Sequence, residues 1–104
     1  MQDRAIRDRL AGMVTPGLVA EHRRSPFGPH SPALAEVMDF LRRNPAPDRP
    51  RYVVLREGDG FAIGVRPAVR DAAVASAGDE RFPTRAGAEH GVFLRRLADY
   101  GLLP

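Results

Sequence analysis

Proline dictates how this chain can be divided. Pro16 follows Thr15 and Pro32 follows Ser31, so a hydroxyl cap twice precedes a proline in the first helical turn, where the lost N–H has no intrahelical partner. Three further prolines between Asn44 and Pro50 end the helix that the second cap begins. Three short helices are expected before residue 50, and the apolar spacing agrees. Ile6, Leu10, Met13 and Val14 form a stripe over Asp3–Val14, with Asp3/Arg7 and Arg4/Asp8 spaced for i,i+4 pairing on the wet face. The second helix runs from Pro16 to Arg24 and the third from Pro32 to Arg43, with Leu34, Val37, Met38 and Leu41 on one side.

After residue 50 the period changes. Arg51 to Glu57 and Phe61 to Arg66 read as strands joined around Gly58-Asp59-Gly60, a tight-turn signal. Parity places Tyr52, Val54 and Arg56 with Phe61, Ile63 and Val65 on the face expected to meet the helices. Val53, Leu55, Ala62 and Gly64 fall on the other face, which a two-layer domain of this size is expected to leave uncovered. Pro67 to Ala77 is ambiguous, with a short edge strand expected within Ala72–Ala75. Thr84 caps a last helix, Arg85 to Tyr100, whose stripe of His90, Phe93, Leu94, Leu97 and Gly101 is expected to put Phe93 against the hairpin. The predicted class is α+β: three N-terminal helices, a β-hairpin or small antiparallel meander, and a long C-terminal helix in a single domain over residues 1–104.

Composition excludes several classes of function. The chain has no Cys, so neither disulfides nor thiolate zinc sites are available. Five charges in the first ten residues exclude a signal-peptide core there, no apolar run approaches the ~18 residues of a membrane span, and a cytoplasmic location is expected. The pI near 10.5 suggests nucleic acid, yet the net charge is only +3, and the 16 basic residues are all Arg and alternate with acids. Three helices and a hairpin are also the order of a winged-helix DNA-binding regulator, which is the alternative reading. Against it, the Ser25–Ser31 connection exceeds the 3–4-residue turn of that motif, and Glu36 and Asp39 sit mid-length on the would-be recognition helix.

Little in the chain carries chemistry. No two of His22, His30 and His90 have a helical ligand spacing, so His90 is expected at the edge of its stripe, bonded to a backbone group, and His30 is expected to fasten the proline loop. Ser25, Ser31 and Ser76 have no evident neighbouring base, and Ser31 reads as a helix cap. Gly58-Asp59-Gly60 opens no helix and is a turn, not a phosphate loop. Asp79 and Glu80 precede a helix N-terminus, where the dipole favours negative charge, and are not read as an acid–base pair. No catalytic, cofactor-binding or metal-ligating residue is expected on this chain.

Two shape motifs remain: Ser25-Pro26-Phe27-Gly28-Pro29-His30-Ser31-Pro32, and Gly78-Asp79-Glu80-Arg81-Phe82-Pro83-Thr84 leading into Val92-Phe93-Leu94-Arg95-Arg96. With Leu34, Phe40, Arg42, Ala88 and His90 they resemble the small (alpha) subunit of N,N-dimethylformamidase and its relatives, over roughly Glu21 to Leu97. This chain has Ser25 where the resemblance calls for Asn. The resemblance implies a non-catalytic partner chain, inactive alone, that docks on a large amidohydrolase subunit. There an iron held by tyrosine and carboxylate ligands activates water for hydrolysis of a formamide-type C–N bond. Residues expected at the interface with that large subunit are Phe27, His30, Val53, Leu55, Arg81, Phe82, Arg95 and Arg96. The arginine pairs Arg23-Arg24, Arg42-Arg43 and Arg95-Arg96 offer planar forks for carboxylates across an interface, although solvated helix ends account for them equally well.

Overall fold

The computed structural model describes residues 2–43, 51–66, 73–76 and 78–104, with the side chains of Gln2 and Asp3 excepted. Its elements are α1 (Gln2–Met13), α2 (Pro16–Arg24), α3 (Pro32–Arg43), β1 (Arg51–Glu57), β2 (Gly60–Arg66), β3 (Ala75–Ser76) and α4 (Arg85–Asp99). The mixed α+β class and the element order are those expected. The proline stop at Asn44 to Pro50, the stretch from Pro67 to Ala72, and Ala77 lie outside the described residues, as does the Asp3 half of the expected Asp3/Arg7 pair. Among the described residues no helix is long and apolar enough to cross a membrane.

The caps act as their chemistry requires. Thr15 is extended (φ −104°, ψ 163°) and its Oγ1 accepts the Leu18 N–H at 3.1 Å. Ser31 Oγ accepts the Leu34 N–H at 3.2 Å, and Thr84 Oγ1 accepts the Gly87 N–H at 3.0 Å. At its far end α4 closes in a Schellman motif, with Gly101 at φ +67° donating to Ala98 O at 2.9 Å and Leu102 donating to Leu97 O at 2.8 Å. Gly101 is therefore a helix terminator and not part of the apolar stripe. The motif turns Leu102 back into the core beside Leu97.

β1 and β2 pair antiparallel from Arg51↔Arg66 to Glu57↔Gly60, which leaves a two-residue loop, Gly58-Asp59, with Gly58 at φ +59°. β3 adds to β2 through Gly64↔Ser76 and Val65↔Ala75, completing a three-stranded meander whose third strand, Ala75–Ser76, overlaps the expected Ala72–Ala75 only at Ala75. Ile63 packs against α4, where a Cβ on Gly91 would lie 3.0 Å from its Cδ1. The opposite face is not bare. Ala62 and Gly64 are buried, Val53 and Leu55 are half-buried, and a Cβ on Gly64 would stand 2.6 Å from Leu55 Cδ1 and 2.8 Å from Val74 Cγ1. The notch at Gly64 is filled from within the chain, by its cross-strand neighbour Leu55 and by the segment that enters β3.

The main core collects Leu10, Val14, Leu18, Leu34, Val37, Leu41, Phe93, Leu97 and Leu102, from all four helices and the C-terminal tail. Ile6 stays 41 % exposed, because α1 meets the core only from Leu10 onward. Phe93 belongs to this helical core and does not face the hairpin. The sheet side of α4 is instead made by Gly87 and Gly91. Two positions along a helix are about 200° apart, so Gly91 and Phe93 point to opposite sides, and α4 is buried on both.

Candidate functional site

The first shape motif is a loop held by its own hydrogen bonds. Ser25 Oγ donates to Gly28 O at 2.9 Å, and the Gly28 N–H donates to Ser25 O at 3.1 Å. His30 Nε2 faces two carbonyls, Ser25 O at 2.9 Å and Pro26 O at 3.2 Å; carbonyls only accept, so Nε2 carries the proton. His30 thus fastens the loop as expected. From α2, Glu21 reaches across to accept both the Ser31 N–H and the Ser31 hydroxyl at 2.7 Å, which ties the end of the loop to its beginning. Those two bonds, backbone first, hold the Glu21 carboxyl below its usual pKa. At the tip of this braced loop Phe27 stands 65 % exposed.

Beneath the loop the fold gathers all three imidazoles. His22 and His90 are buried, 2 % and 6 % exposed, with their Nδ1 atoms 2.8 Å apart. One must donate and the other accept, so the contact holds a single proton. The His22 ring stacks on Phe93 at 4.0 Å and lies nearly parallel to His30 at 6.1 Å. Burial, then the neighbouring His90 and His30, push His22 down to about 4, with Glu21 opposing. Burial and Arg23 lower His90 in the same direction. Both rings are neutral at pH 7. The expectation that His90 bonds a backbone group is corrected: its Nδ1 meets His22, and its Nε2 is buried without a protein partner.

This cluster supports no evident catalysis and does not fit a resident iron. The His22 and His90 Nδ1 atoms face each other, and His30 Nε2 is committed to carbonyls. Among the described residues no three His, Asp or Glu side chains are grouped to hold a metal. The nearby hydroxyls of Ser25 and Ser31 donate to Gly28 O and to Glu21.

The second shape motif is a corner pinned by Phe82. Its backbone bridges Phe61 through two 2.9 Å hydrogen bonds, and its ring lies over Gly87 and Gly91, where added Cβ atoms would come within 3.7 and 2.8 Å. Gly60 is needed on the other side, since a Cβ there would meet Phe82 O at 2.7 Å. Arg81 pairs with Glu57 at 3.0 Å, Glu80 pairs with Arg95 at 3.3 Å, and Arg95 lies 5.9 Å from the centre of the Tyr52 ring.

The eight residues expected at an interface therefore fall in three places. Phe27 and His30 sit on the proline loop, whose Pro26 shares a cleft with Arg96. Arg81, Phe82 and Arg95 form the corner, tied to their own chain. Val53 and Leu55 lie on the far side of the sheet. Sequence reasoning missed His22, His90, Glu21 and the two glycines. Only the glycines carried a signal: Gly87 and Gly91, four apart in a helix, each cost roughly 1 kcal/mol relative to Ala, which is tolerated where another group must come close.

The DNA-binding alternative gains no support from α3, where Asp39 pairs with Arg42 and Arg43 and Glu36 pairs with Arg9 from α1. Comparison with known proteins points elsewhere. The family model described as N,N-dimethylformamidase alpha subunit matches residues 1–103, beyond the Glu21–Leu97 stretch that carries the motifs. The N,N-dimethylformamidase alpha subunit of Alcaligenes sp is 36% identical over 88 residues, 81% of this chain and 64% of the relative, so this chain matches less than two thirds of that protein's length. A match over nearly the whole chain, with a relative above 30% identity, places it: the chain belongs to the N,N-dimethylformamidase alpha-subunit family.

Proposed function

We propose that this chain is a non-catalytic small subunit that docks on and stabilises a larger amide-hydrolysing subunit in the cytoplasm, with formamide-type substrates and the iron assigned to that partner. The observation that carries the reading is Phe27, a large apolar ring presented to water on a loop braced by Ser25, His30 and Glu21. A single exposed apolar residue means little on a mobile surface. One fixed in place before contact avoids the ordering cost of binding, and aromatic anchors of this kind carry much of the energy of protein interfaces. Membership of an alpha-subunit family supports a partner of this kind.

The test is co-expression with a large-subunit homologue. A tagged copy of this chain should retain the large chain through size-exclusion chromatography, and the isolated chain should release no dimethylamine from N,N-dimethylformamide. Failure to retain the large chain, combined with turnover by this chain alone, would refute the proposal.

A further inference from the structure

A cleft of about 70 Å³ opens between α3 and α4 beneath the proline loop. Met38, Leu41, Val92 and Phe93 contribute apolar wall, while Arg42, Glu89 and Arg96 supply its charge. We infer that this cleft receives a carboxylate side chain of the partner subunit, held between the guanidinium groups of Arg42 and Arg96. The inference rests on the docking proposed above and names the chemistry of that contact.

Size decides first. Small-molecule sites occupy roughly 300–1,000 Å³, so a cleft of this volume takes the head group of a side chain and not a substrate. Charge decides second. Glu89 is the one acid among two arginines, and it already leans to Arg85 at 3.8 Å. Arg42 has only a long 3.5 Å contact with Asp39, and Asp39 lies closer to Arg43 at 3.1 Å. Among the described residues no carboxylate lies within ion-pair distance of Arg96, although Arg96 is half-buried. Burial lowers its pKa, Glu89 pushes it back up, and Arg42 adds a smaller push downward. A partly desolvated guanidinium beside a second one is costly unless an anion joins them, and a planar fork matches a carboxylate. Position decides third. Pro26 lines the same cleft, so the occupant stands beside the loop that carries Phe27, and the partner should present an acid next to an apolar recess.

The sequence provides an unusual probe, because the chain contains no lysine. The Arg96→Lys variant carries the only ε-amine, which a carbodiimide couples to a touching carboxylate as an amide, the carboxyl oxygen leaving on the urea. Treatment of its complex with the large subunit should yield one dominant cross-link to an Asp or Glu of that subunit, located by mass spectrometry. Arg42→Lys, at an exposed position, gives a second variant free of any folding burden. Arg96→Gln and Arg42→Gln should each weaken association about tenfold or more, the exposed Arg42→Gln with an unchanged melting curve. If the wild-type chains associate but both Gln variants bind normally and neither Lys variant cross-links, the cleft assignment is wrong while docking stands. If the wild-type chains do not associate, both fail. Saturable acetate binding to the isolated chain, seen at the Arg96 side chain by NMR and indifferent to the large subunit, would assign the cleft to a free carboxylate and overturn the inference.

Discussion

Acidification should destabilise this protein through His22. His22 is 2 % exposed, stacked on Phe93 and bonded to His90, and its pKa is pushed down to about 4 from the 6.5 of an ordinary imidazole. Between these two values the unfolded chain holds a proton that the folded chain does not, so stability rises with pH across the window. It is complete above about pH 6.5 and is lost as pH falls toward 4. At roughly 1.4 kcal/mol per pKa unit, the full window is worth about 3 kcal/mol, most of it lost by pH 4.5. His90, also lowered, adds loss of the same sign. The charges around the pair are Glu21, which favours protonation of His22, His30, which opposes it, and Arg23, which opposes protonation of His90. Against the 5–15 kcal/mol typical of a domain, this is a large share. The assay is urea unfolding followed by circular dichroism at several pH values from 7.5 to 4.5, on the wild type and on His22→Phe, which keeps a ring against Phe93. The variant should show a slope shallower by up to one proton. Equal slopes for the two proteins, or a wild type whose stability is constant over this range, would refute the reasoning.

Further outcomes follow from packing, helix propensity and docking. Phe93→Ala should cost about 3–5 kcal/mol, since it empties the centre of the helical core. Phe82→Ala, at a half-buried ring, should cost about 1–2 kcal/mol in the same urea titrations. Gly91→Ala should destabilise by about 1–3 kcal/mol, because the new Cβ meets the Phe82 ring at 2.8 Å and Ile63 at 3.0 Å. Gly12→Ala, in helix α1 with nothing within 4 Å, should raise the melting temperature through a gain of up to about 1 kcal/mol. Phe27→Asp should melt like wild type, yet weaken association with the large subunit by about thirtyfold or more in a binding titration.

Local grammar was legible in the chain. Thr15, Ser31 and Thr84 cap as read, Pro16 and Pro32 open their helices, and the hairpin pairs with the parity that its alternation implies, because each of these depends on hydrogen bonds among near neighbours. The proline loop's reliance on His30 was legible for the same reason, its partners lying four and five residues away. The third strand of the meander was legible only in part, since the expected Ala72–Ala75 and the observed Ala75–Ser76 share a single residue.

Long-range choices were decided only by the tertiary structure. Periodicity marks the buried stripe of α4 but cannot say which neighbour it meets when the helix is buried on two sides. Phe93 thus went to the helical core, and Gly87 and Gly91 received the ring of Phe82. The small residues Ala62 and Gly64, which suggest an open face, are covered because Leu55 and Val74 close over Gly64. His22 and His90, 68 positions apart, obey no spacing rule, and their shared proton exists only because α2 and α4 cross beneath the loop. Caps and turns are settled by nearby atoms that every conformation of the chain keeps close. A buried pair is settled by which surfaces exclude water together, and that depends on the whole fold.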